Sequence, residues 1–209
     1  MKLKKFFQHL FKKFFQNLFK VLYGNIKFNK NRTYNYKKHK IDTISYKNKY
    51  RINEFLYIIP NSRIYTDTVE HVAIIQNNEL VHNVSFQQVN SILRDETYNK
   101  VLSDGTPRPL KHFDGDILSL VQGASGNNYF HFLFDIVIKI VLANAIIPNN
   151  EINHYYLPGK KKWQIDILSE LDINQNKIID SNEYRHLKAN NILALEHPWY
   201  KKGLIQEGV

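Results

Sequence analysis

The sequence predicts an α/β fold with a partly parallel sheet, on a chain whose first quarter is set apart by charge. Three observations predict it. Beyond residue 110, short apolar runs bounded by Pro, Gly and Asn alternate with longer runs of helical spacing. Such alternation is the pattern of parallel strands joined by helical crossovers. The 209 residues are 43% hydrophobic and 23% charged, the balance of a chain that folds. Charge is segregated: residues 1–50 hold 14 Lys or Arg against a single acid, Asp42, a net of +13. The whole chain carries +10, which leaves residues 51–209 at −3. The basic character therefore belongs to the N-terminal quarter.

In chain order, "KKFFQHLF" at 4–11 recurs as "KKFFQNLF" at 12–19. Phe and Leu follow helical spacing and Lys and Gln fall opposite, so residues 1–28 form a basic amphipathic helix. No apolar run approaches the roughly 20 residues a bilayer span needs, and no secretory cleavage pattern is visible. A helix of this kind suits an anionic membrane surface, and equally packs on its own domain or on a partner. Its aromatics form a stripe rather than base-stacking platforms, so nucleic acid is not an expected partner. Residues 29–54 are polar, basic and weakly periodic, and are expected as a linker.

Residues 55–209 form the α/β domain. "FLYIIP" (55–60) is a short buried strand or a lead-in, ended by Pro60. "HVAII" (71–75) and "LVHNVSF" (80–86) are strands about an Asn-Asn turn, since Asn tolerates positive φ. "VNSILRDETYNKVL" (89–102) has helical spacing, and "DGTPRP" (104–109) is a loop. "DILSLVQ" (116–122) is a strand leading to a helix over 128–145. A strand and turn at 154–159, strands at 177–180 and 191–195 and a helix over 161–171 complete the pattern.

The helix over 128–145 carries the polar residues of interest. At about 100° per residue, Asn128, His131, Asp135 and Lys139 share a stripe roughly 80° wide on an otherwise apolar helix. Asn127 or Asn128 caps its start. Two arrangements satisfy the stripe. It faces solvent, with Asp135 paired to Lys139 at i,i+4, or it lines a cleft, with His131 and Asp135 as general base and partner or as sugar or phosphate ligands.

"GNNYFHFLFDIVIKI" resembles the signature of glycosyltransferase family sixty-one, an Asn-Tyr-x-His-x-x-x-Asp pattern heading an apolar helix. Here it falls on Asn128, Tyr129, His131 and Asp135. "SRIYTDTVEHVAIIQNNELVHNVSF", "DGDILSLVQGASGNNY", "WQIDILSELDINQNKIID" and "ANNILALEHPW" resemble the flanking segments in order, so the likeness spans about residues 60–200. The resemblance implies the Rossmann-like N-terminal half of a GT-B-type glycosyltransferase, supplying the acceptor side of a cleft. It implies a nucleotide-sugar donor, a glycan acceptor and a place in surface-polysaccharide synthesis. His131 or Asp135 would be the base, with Asn128 and Tyr129 binding substrate. No metal or other cofactor is expected. The family's Arg-rich donor-binding half would follow residue 200 and is not found, so the chain is expected to be inactive alone. With residues 1–28, the expected place is cytoplasmic, peripheral at the inner membrane surface. The alternative is a non-catalytic, membrane-recruited module that binds glycan or a partner chain.

Other motifs carry less. With no cysteine, disulfides and thiolate metal sites are excluded. "DGD" (114–116) precedes its strand and reads as a turn. Asp172, Asn174, Asn176, Asp180 and Glu183 stand at calcium-loop positions, a second alternative function, but Lys177 occupies the position that calls for glycine. "GASG" (123–126) is too short for a phosphate loop, no zinc or nucleophile-elbow motif appears, and "KKK" (160–162) reads as a solvated turn.

Overall fold

The computed structural model describes residues 2–29, 34–42, 53–66, 71–89, 92–94, 96–122 and 125–196. The fold is mixed α/β, with several sheets and few helices. Sheet one has the order β1–β2–β13–β9–β10–β11. Its strands are β1 (Lys37–Asp42), β2 (Asn53–Pro60), β9 (Asp116–Ser119), β10 (His154–Leu157), β11 (Ile178–Asp180) and β13 (Asn191–Leu195). The strands β13, β9, β10 and β11 run parallel, while β1 and β2 are antiparallel to their neighbours. Near-continuous apolar runs such as Ile192–Leu195 fit strands covered on both faces.

Sheet two has the order β7–β6–β4–β3–β12–β8, with β5 added to β4. Its strands are β3 (Arg63–Tyr65), β4 (His71–Gln76), β5 (Glu79–Leu80), β6 (Phe86–Val89), β7 (Ile92–Arg94), β8 (Lys111–His112) and β12 (His186–Lys188). Asn77 and Asn78, at φ 52° and 59°, close the β4–β5 hairpin with the positive angles that a tight hairpin turn requires.

Three cores separate the layers. Leu118, Tyr155, Leu193, Phe132, Ile136 and Leu168 bury one face of sheet one under α3 (Tyr129–His131), α4 (Ile138–Asn144) and α5 (Lys162–Ser169). The other face packs on sheet two through Ile117, Tyr156, Ile192, Ile64, Ile74 and Leu187. Because side chains alternate along a strand, Tyr65, Ala73 and Ile75 leave sheet two on its outer face, where Ile26 and Val101 cover them.

That outer face also carries α1 (Lys2–Tyr23). The Tyr23 ring stands edge-on to His186 at 5.0 Å, its hydroxyl accepts from Leu110 N–H at 3.0 Å, and Arg63 donates to its carbonyl at 3.1 Å. Lys20 Nζ donates to the Ser103 carbonyl at 2.5 Å, and Lys12 reaches Asp104 at 4.0 Å. Residues after Gly24 continue into the fold, where Lys27 N–H donates to the Asn78 carbonyl at 2.9 Å. Among the described residues, no helix is long and apolar enough to cross a membrane.

Four expectations are corrected. The stretch 29–54, expected as a linker, contributes β1 as an edge strand on β2. The stretch 80–86 is not one strand: Asn83 turns at φ 69° between β5 and β6. The helix expected over 89–102 is replaced by β7, a 3₁₀ turn (Glu96–Tyr98) and the short α2 (Val101–Asp104). Tertiary hydrogen bonds outweigh helical spacing there. Buried Glu96 accepts from Asn83 N–H at 2.6 Å, and buried Asn99 donates to the Val72 and Phe86 carbonyls at 3.0 Å each. The helix over 128–145 forms, but its middle, Phe132–Val137, is π-helical.

Candidate functional site

The chain leaves β9 through Leu120, Val121 and Gln122 and turns into α3. Gly126 passes against the turn after β10; a Cβ there would lie 2.7 Å from the Pro158 carbonyl oxygen. Ser125 Oγ donates to the Gln122 carbonyl at 2.5 Å. Asn128 then starts the helix, its side chain accepting from His131 N–H at 3.3 Å. That satisfies one of the orphan donors of the first turn.

The strand order gives this turn its position. From β9 the chain steps to β10 and β11, then returns to place β13 on the other side of β9. The direction of winding thus reverses between β9 and β13. In open parallel sheets the crevice beyond the carboxyl ends of such a strand pair is where ligands lodge.

His131 and Asp135 meet here. His131 Nδ1 lies 2.9 Å from Asp135 Oδ2, across one turn of helix. Asp135 is 1% exposed and Lys139 is also buried, so the second half of the polar stripe turns inward, while Asn128 at its head is exposed. The His131 side chain retains 19% exposure. Burial raises the Asp135 carboxyl above its ordinary range, and the hydrogen bond and charge of His131, the Gln122 amide and the Lys139 charge oppose the shift. The carboxylate is thus a buried acceptor facing an imidazole at the rim. When Asp135 is ionised, the tautomer that satisfies it carries the proton on Nδ1 of His131.

Behind the pair, Asp135 Oδ1 and both polar side-chain atoms of Gln122 are buried, and the Gln122 amide helps to hold the Asp135 carboxyl down. Gln122 was not singled out by the sequence. Its signal was there: an amide ending an apolar strand immediately before the helix.

The rim is aromatic and basic. Tyr129 and Phe130 are exposed. The Tyr129 ring lies 5.3 Å from that of Trp163, and Phe130 stands edge-on to His131 at 5.7 Å. Lys161 Nζ donates to Asn127 Oδ1 at 2.6 Å, tying the "KKK" turn to the head of the helix. All four signature positions therefore occupy about two turns of helix. His131 and Asp135 touch, Asn128 positions His131 through the backbone, and Tyr129 faces outward.

The calcium-loop positions are spread over several elements. The stretch 172–183 runs as a turn at Asp172 (φ 59°), a 3₁₀ turn (Gln175–Lys177), strand β11 and a second turn. Among the described residues, no three His, Asp or Glu side chains gather as a metal site. Lys177 Nζ instead donates to the carbonyls of Asn149, Asn150 and Ile152 at 3.1, 3.3 and 2.8 Å. In "DGD", Gly115 turns at φ 84° and Asp116 accepts from Asn191 Nδ2 at 2.7 Å, a structural use. Comparison with protein-family models, curated proteins and solved structures finds no match.

Proposed function

We propose that the chain takes part in glycosyl transfer from a nucleotide sugar to a glycan hydroxyl, with His131 as general base and Asp135 as its orienting partner. The observation that carries this is the buried carboxylate 2.9 Å from an imidazole at the strand-order reversal. The order β11–β10–β9–β13 supports a Rossmann-like half of a GT-B-type enzyme. The signature residues Asn128, Tyr129, His131 and Asp135 support the same family.

In this chemistry Nε2 of His131 takes the proton of an acceptor hydroxyl as its oxygen attacks the anomeric carbon. The bond from that carbon to the donor phosphate breaks, and the nucleoside diphosphate leaves with the electron pair. Asp135 stabilises the imidazolium that forms. These residues supply the acceptor side of the cleft.

The exposed Tyr129 and Phe130, beside Trp163, favour one other reading: glycan binding without turnover, through stacking on aromatic faces. One experiment separates the two. Glycan binding by ligand-observed NMR and acceptor-dependent release of nucleoside diphosphate are measured across a panel of nucleotide sugars, for the wild type, His131→Ala and Tyr129→Ala, each combined with a separately expressed donor-binding half of a family sixty-one glycosyltransferase. Transfer predicts release that falls roughly 10²–10⁴-fold in His131→Ala while binding persists. Binding that Tyr129→Ala abolishes, with no release in any protein, decides for the binding module. Neither binding nor release refutes both.

A further inference from the structure

The first helix packs the opposite way from a domain helix. A surface helix normally turns its apolar stripe to the core. On α1 the residues that meet the body are Lys12, Gln16, Lys20 and Tyr23, spaced along one face. Lys20 lies over Gly105, where a Cβ would come within 2.9 Å of its stem. Phe19 is half-buried beside Tyr23. The opposite face carries Leu10, Phe11, Phe14, Phe15, Leu18 and Leu22, all exposed, with Val21 at 84%. Among the described residues, no body side chain covers them, because the body holds the polar face.

We propose that α1 is a bilayer anchor held ready by the fold, lying in the plane of an anionic lipid surface with its Phe/Leu face inserted and the His131 site turned away. The charge distribution selects the occupant. The helix sequence carries six lysines and no acid. A second copy docked face to face would bring two such sets together, whereas anionic headgroups neutralise one. Insertion of bulky aromatics and leucines at the headgroup boundary is what an in-plane amphipathic helix does. The inference does not rest on glycosyl transfer.

The orientation follows from the layers. From the lipid outward they are α1, sheet two, sheet one, and the helices bearing His131 and Asp135. With packed layers about 10 Å apart, the dyad stands on the order of 20–30 Å from the axis of α1. Among the described residues, none has to unfold or detach for the apolar face to reach lipid.

The test uses the full chain and vesicles of phosphatidylcholine with or without phosphatidylglycerol, by flotation at about 0.1 M salt. We expect binding to the anionic vesicles at least about tenfold tighter than to the neutral ones. Phe11→Glu with Phe14→Glu, at exposed positions, is expected to lower binding at least about a hundredfold. Because the chain has no cysteine, a polarity-sensitive dye can be placed alone at Phe14→Cys or at Asn127→Cys. Vesicles should brighten the first and leave the second unchanged. Equal binding to both vesicles, indifference to the two glutamates, or brightening at Asn127→Cys overturns the proposal. So does a failure to bind, whether the chain is then monomeric or forms a dimer, by light scattering, that the glutamates dissolve.

Discussion

His186 offers a prediction whose size comes directly from its surroundings. The ring is completely buried on the outer face of sheet two, between Tyr23 at 5.0 Å and Tyr65 at 5.6 Å. Its Nδ1–H donates to the Arg108 carbonyl at 3.0 Å, and Nε2 has no hydrogen-bond partner among the described residues. Burial pushes the imidazole from 6.5 down to about 4; the Arg108 carbonyl opposes this, and the nearby Arg63 and His112 charges add to it. The unfolded chain therefore takes up a proton as pH falls through 6.5, and the folded chain does not until about 4. In that window protons favour the unfolded state, so stability is present at pH 7 and is lost as pH falls. At about 1.36 kcal/mol per pH unit, the loss amounts to on the order of 3 kcal/mol by pH 4. Urea unfolding of the wild type and His186→Phe from pH 7 to 4 measures it. Phe keeps a ring between Tyr23 and Tyr65 and cannot titrate. The wild type should lose about 3 kcal/mol more than the variant across that range. Parallel curves would refute the reasoning, because the acid loss would then come from other groups.

Two further perturbations test the site and its support. Asp135→Asn removes a carboxylate that burial disfavours, so the thermal midpoint at pH 7 should hold or rise while glycan-dependent turnover falls; a midpoint lowered by several degrees would show that the His131 pairing outweighs burial. Lys177→Met strips three loop carbonyls of a charged donor and should cost on the order of 2 kcal/mol in urea unfolding, against less than about 0.5 kcal/mol for Lys160→Met on the exposed turn.

Much of sheet one was legible because parallel strands buried on both faces announce themselves as unbroken apolar runs. Ile117, Leu118, Tyr155, Tyr156 and Ile192 all come from segments the spacing marks as strands. Sheet two was harder. Its strands β8 and β12 are two and three residues long, and their pairing depends on partners many residues away. Residues 89–102 misled because periodicity cannot register a buried Glu96 or Asn99 bonded across the chain. At the site, i,i+4 spacing was enough to place His131 beside Asp135, but not to say which way the stripe turned. That depended on packing against the end of β9, which also brought in Gln122. The periodicity of α1 was plain from the repeat, yet the direction of its apolar face follows from Gly105, Arg63 and His186, which no local pattern connects to it.

The place of β13 in sheet one sets an order on folding. It is the last strand in the described chain, and it lies between β2, where Leu193 faces Ile58, and β9, where Leu193 faces Leu118. Before residues 191–195 leave the ribosome, β1–β2 and β9–β10–β11 are two separate pieces, each with a bare hydrogen-bonding edge made of apolar residues. Such edges recruit strands from other chains. Until that five-residue strand arrives to join them, both halves of the main sheet stay open to such pairing.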